Sequence, residues 1–202
     1  MRPPMFFGPG GGTVAMVVAF WVLFYVWIGA ELWLGYRRRH LPSGATDRDS
    51  GSKAWVIGSV WSTVALGIGV AFAFPGAAIQ SGRSAAFVAG LVLMLAGLAL
   101  RRYAVWVLGA SFTVDVATRP DQAVVESGPY RWIRHPSYTG GLLTLLGVLV
   151  CCCNSASLAA LVFALGGYAY RIKIEEDALA TDLGTPYREY MRRTKRLIPF
   201  LV

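Results

Sequence analysis

The 202 residues are 55% hydrophobic and only 15% charged, with a formal net charge of +8. That balance is too apolar for an ordinary soluble domain and indicates an integral membrane protein. The surplus of basic residues lies beside apolar runs, where orientation in the bilayer and contact with membrane lipids account for it, so no nucleic acid is expected as a partner.

The opening MRPPMFFGPGGG is a Pro/Gly arm; no strand precedes it and no GKS or GKT follows, so it is not a phosphate loop. Residues 14–34 then run apolar for about a bilayer's length before GYRRRH stops them, which is a first span rather than a cleaved signal peptide. Glu31 near its basic end is expected to reach the headgroup zone or to pair with Arg37 to Arg39. LPSGATDRDSGSK at 41–53 is polar and Gly/Ser-rich, the best candidate for a mobile loop. A second span covers 54–74 and ends at Pro75-Gly76. A third covers about 85–108, where Arg101 and Arg102 are expected to snorkel.

Residues 109–138 are too polar to span and too aromatic for a free linker, so they should lie folded against the membrane surface. Within them SGPYRWIRHPSYTGG, residues 127–141, is the densest chemical stretch. Pro136 lacks an amide hydrogen and suits a first helical turn, which places His135 at a helix mouth where unpaired N–H groups would receive an anionic ligand group. A fourth span, about 139–153, and a fifth, about 158–174, are joined only by NSAS and carry no charge between Thr139 and Tyr170, as a helical hairpin requires. Gly166 and Gly167 permit close packing or cofactor approach. The consecutive Cys151, Cys152 and Cys153 have neither disulfide nor metal-site spacing and read as small apolar filler; no metal site is expected. In the tail, Arg171 and Glu175 are four apart and share a helix face, with Glu176 adjacent. Gly184 and Pro186 are expected to stop that helix, and Tyr187, Tyr190 and the basic residues after them to form an interfacial cap.

Lys and Arg along the successive non-apolar segments number 1, 5, 1, 5, 0 and 7. The alternation places 17 of the 19 on one side and predicts five transmembrane helices, N-terminus outside and C-terminus in the cytoplasm. The fold class is thus an all-α multi-pass membrane protein with a three-span region at 1–108 and a catalytic region at 109–202.

The order SGPYRWIRHPSYTGG, hairpin, RIKIEEDAL, G-x-x-Y-x-x-Y and RLIP resembles the isoprenylcysteine carboxyl methyltransferase family and its phospholipid methyltransferase relatives. The resemblance covers roughly residue 109 onward. It implies a multi-pass membrane protein, in the cytoplasmic membrane if the source is bacterial, with S-adenosyl-L-methionine in a cytoplasm-facing pocket and a lipophilic or lipidated substrate entering from the bilayer. Carried over residue by residue, the cofactor contacts fall on Tyr130, His135, Pro136, Ser137, Tyr138 and Glu175, and on Gln122, Ala123, Val124 and Val125. Gln122 departs from the histidine of eukaryotic members, and Asp115 is placed by spacing alone. Arg171, Glu175, Glu176 and Arg134 fall on the reacting side. A carboxylate acceptor is ionised at neutral pH and needs no base, whereas an amine acceptor would require one from Glu176 or His135. Arg171 or Arg134 would grip the carboxylate. The alternatives are a phospholipid, amine or thiol methyltransferase of the same family, a membrane reductase, for which no nicotinamide-ribose reader is evident, and a non-enzymatic lipid-binding module.

Overall fold

A computed structural model describes residues 14–37, 46–47, 51–112, 117–118 and 123–199. The elements run α1 (Val14–Arg37), β1 (Thr46–Asp47), α2 (Ser52–Ala73), α3 (Arg83–Leu108), β2 (Ala117–Thr118), α4 (Pro136–Cys151), α5 (Leu161–Asp182) and α6 (Thr185–Arg193), with short 3-10 turns between them. Four stretches are long and apolar enough to cross a membrane: α1, α2, α3, and α5 with the 3-10 turn that precedes it. Helix α4 has 16 residues, about 24 Å, and is shorter than the hydrocarbon core. The protein is therefore an all-helical integral membrane protein.

The connections fall at two ends. At one, β1 pairs antiparallel with β2, joining the α1–α2 and α3–α4 connections; the paired residues lie in segments expected to be a loop and a surface layer. At the other, Ala78 bridges Asn154, Ile79 N–H donates to Cys153 O, and Asn154 Nδ2 donates to Phe74 O. The α2–α3 and α4–α5 connections thus share the end opposite His135.

Helices α3 and α4 pack closest, and glycines are the reason. A Cβ on Gly97 would lie 2.5 Å from Thr144 N, one on Gly90 2.8 Å from Gly147 O, and one on Gly140 2.7 Å from Arg101 N. The seven-residue spacing on each helix puts these bare positions on one seam, so the backbones meet directly. Gly167 admits α2 at Ser59, while Gly166 faces open space. Phe20, Phe87, Met94, Leu145 and Val148 fill the core, and large apolar side chains such as Val18, Val92 and Val162 point outward, as lipid-facing residues do. The three cysteines are buried and unbridged, in keeping with their expected role as filler.

Candidate active site

Helix α4 begins at Pro136 with His135 as its N-cap, as the proline predicted. The side chains around this start leave in three directions. Ser137 accepts from Arg101 Nη1 at 3.0 Å. Tyr138 donates its hydroxyl to Glu175 Oε2 at 2.5 Å and accepts from Arg171 Nε at 3.3 Å. His135 Nε2 lies 3.3 Å from Glu176 Oε1 and donates to it, since a carboxylate can only accept. The His135 and Tyr138 rings stack at 5.4 Å and 6°, joining the clusters.

The Glu176 cluster holds the tail. Arg134 Nε donates to Glu176 Oε1 at 2.8 Å, Arg196 Nε to Oε2 at 2.9 Å, and Arg134 Nη1 to the carbonyls of Met191 and Thr194. Backbone bonds continue the clamp: Arg134 N to Lys195 O at 2.7 Å, His135 N to Arg196 O at 3.0 Å, and Thr139 Oγ1 to Leu197 O at 2.7 Å. Tyr190 donates to Tyr130 O at 2.7 Å. Burial pushes the Tyr130, Tyr187 and Tyr190 phenols above their ordinary value, so they serve as neutral groups. Tyr187 and Tyr190, expected to form an interfacial cap, are buried within it. Gly184 caps α6 with φ of +64°, and Pro186 opens that helix rather than only closing α5.

The Ser137 cluster contains the residues that sequence reasoning undervalued. Arg101 does not snorkel: its side chain is 14% exposed and grips Glu31 through both fork nitrogens, Nε to Oε1 and Nη2 to Oε2, each at 2.5 Å. Glu31 thus pairs across to α3. Arg101 Nη1 also reaches Ser137 O at 3.3 Å, so α1, α3 and α4 meet at one guanidinium. Ser52, at the start of α2, accepts from Arg171 Nη1 at 2.7 Å and was likewise missed.

A cavity of about 500 Å³ opens beside this hub. Its walls are largely apolar, from Trp27, Ile28, Val60 and Trp61 of α1 and α2, and its charged and polar lining includes Glu31, Lys53, Arg101, Tyr138 and Arg171. That size and lining suit a small-molecule site.

Of the sequence-predicted set, Tyr130, Arg134, His135, Pro136, Ser137, Tyr138, Arg171, Glu175 and Glu176 come together. Arg134 and Glu176 neutralise each other away from the cavity lining, and the Ser137 hydroxyl is taken up by Arg101. Val124 and Val125 are half-buried, Ala123 is exposed, and Asp115 and Gln122 lie outside the described residues. Arg171 and Glu175 meet through the Tyr138 hydroxyl. The half-buried Glu175 keeps its second carboxylate oxygen without a partner among the described residues, and an acceptor beside a buried aromatic stack fits the hydroxyl and ammonium donors of S-adenosylmethionine.

Residues 89–181, just under half of the chain, match the model of the isoprenylcysteine carboxyl methyltransferase (ICMT) family. The chain is 33% identical over 115 residues to a probable protein-S-isoprenylcysteine O-methyltransferase of Oryza sativa subsp. indica, covering 55% of this chain and 60% of that protein. It is 36% identical over 115 residues to protein-S-isoprenylcysteine O-methyltransferase B of Arabidopsis thaliana, covering 55% and 58%. The chain therefore spans about three fifths of the length of these relatives. The solved structure of a eukaryotic intramembrane Ras methyltransferase, ICMT, superposes with a TM-score of 0.54 at 26% identity, over 75% of this chain and 53% of that one.

Proposed function

We propose, from the isoprenylcysteine carboxyl methyltransferase family match over residues 89–181, that this chain is an S-adenosylmethionine-dependent membrane methyltransferase acting on the carboxylate of a lipophilic substrate. The observation that carries the reading is the cavity itself. An apolar wall from α1 and α2 suits a hydrocarbon tail, and the polar lining of Lys53, Arg101, Tyr138 and Arg171, with Glu31 paired to Arg101, keeps the net positive charge that suits a carboxylate.

When bound, the cofactor supplies a methyl group on a cationic sulfur, open to in-line displacement by an acceptor oxygen. The chain's part is positioning and exclusion of water. Glu175 would hold cofactor donors with the oxygen that has no partner among the described residues, and Tyr138 ties Glu175 to Arg171, which would keep the two ligands in one register. Arg171 faces the acceptor. A carboxylate acceptor needs no base, and Glu176 is poorly suited to be one because Arg134, His135 and Arg196 already occupy it. That occupancy favours a carboxylate over an amine acceptor. Five spans, the last two a hairpin, with the site on the cytoplasmic face, complete the proposal. So does a division at residue 108 into a region that walls the cavity and one that carries the chemistry.

The test is transfer of label from methyl-labelled S-adenosylmethionine to an S-prenylated cysteine with a free carboxyl, to phosphatidylethanolamine and to an apolar thiol. Label in a base-labile methyl ester is expected. Label in an amine or thioether refutes the carboxylate assignment. A folded protein that binds no cofactor is a lipid-binding module instead.

A further inference from the structure

Beyond that reading, we infer that the rim where α1 and α3 end holds the phosphate of an anionic phospholipid, gripped by Arg37 and Arg102 around Trp33. The Arg37 guanidinium carbon lies 4.9 Å from the Trp33 ring centroid and that of Arg102 lies 5.2 Å from it. Two like charges are thus gathered on one aromatic ring, an arrangement that costs repulsion unless an anion joins them. Neither helix supplies one. Glu31 is the single acid of α1 and is bound at both oxygens by Arg101, and α3 has no acid. Arg102 Nη1 is enclosed and meets no acceptor among the described residues, and an enclosed N–H without one is costly. The missing partner is an acceptor with negative charge.

Its source follows from place. Arg37 ends α1 and Arg102 lies six residues before the end of α3, Trp33 is 47% exposed, and Tyr36 and Tyr103 beside them are exposed as well. Tryptophan, tyrosine and arginine at such a depth mark the headgroup layer. A guanidinium fork fits phosphate oxygens, and basic residues next to a span bind anionic lipid. The neighbours of Trp33 on α1, namely Glu31, Leu32, Leu34 and Tyr36, line the cavity, so a headgroup seated here borders the substrate's way in.

The experiment is native mass spectrometry of the full detergent-purified chain titrated with phosphatidylglycerol, phosphatidylcholine or inorganic phosphate. One phosphatidylglycerol should be retained in preference to phosphatidylcholine, and each arginine removed should lower that preference about fivefold. Arg37 is exposed at a helix end, so Arg37→Gln keeps the fold, which its unfolding temperature verifies; Arg102→Gln is read beside it. Equal retention of the two lipids, or an unchanged preference in folded Arg37→Gln, overturns the site. Displacement of the lipid by millimolar phosphate overturns the lipid source and assigns a free anion.

Discussion

Tyr138 is the residue on which the proposed chemistry turns, because one hydroxyl links the Glu175 carboxylate to the Arg171 guanidinium. Arg171→Ala removes the fork proposed to face the acceptor, so turnover should fall on the order of a hundredfold while cofactor affinity changes little. Glu175→Gln keeps shape but not charge, so cofactor affinity should suffer first. Titration calorimetry beside labelled-methyl turnover separates the two, and equal loss of both properties in both variants would make the residues structural support. The sequence showed this pair through its i,i+4 spacing, since local periodicity places both residues on one face. It could not show that the link runs through a third side chain from α4. Glu31 and Arg101 were illegible for the same reason: they lie 70 residues apart, and each has a sufficient local explanation at a helix end. Glu31→Gln takes away the negative charge and one of the two acceptor oxygens that satisfy Arg101. Stability should fall by about 3 kcal/mol, the low end for breaking a buried pair, as Glu31 is one-third exposed. The freed guanidinium should at the same time lower KM for an anionic acceptor. Thermal unfolding and acceptor titration read the two effects, and a rise in KM would contradict this account.

At the level of elements, the seam between α3 and α4 sets where Arg101 meets Ser137. Gly97→Ala places a methyl 2.5 Å from the Thr144 backbone nitrogen, so the helices must part. A loss of about 1–3 kcal/mol is expected, with weakened cofactor binding because the α4 mouth shifts from its partners. Gly69→Ala, with nothing within 4 Å, is the control and should be neutral or slightly stabilising. A Gly97→Ala protein as stable as the control would show that the seam is loose. The start of α4 was legible because Pro136 permits few other roles. The two-residue ladder of β1 and β2 was not, because pairs so short leave no alternation to read.

For the whole molecule, the charge alternation and the structure agree on which connections share an end, and the membrane sides remain to be measured. Cys151, Cys152 and Cys153 are buried and should stay silent to an impermeant maleimide. Ser81→Cys should react in intact cells, and Thr185→Cys only after the membrane is opened; both residues are exposed. Labelling of both from the same side would end the five-span topology. The clamp of residues 195–197 on 134–139 also separates two events in the life of the chain. Synthesis proceeds from the N-terminus, so α1 to α4 can enter the bilayer while the segment that completes the site is still within the ribosome. Insertion therefore precedes completion of the proposed site, and an arrested chain lacking residues 194–197 would be a membrane protein with its helices in place and the α4 mouth still open to water.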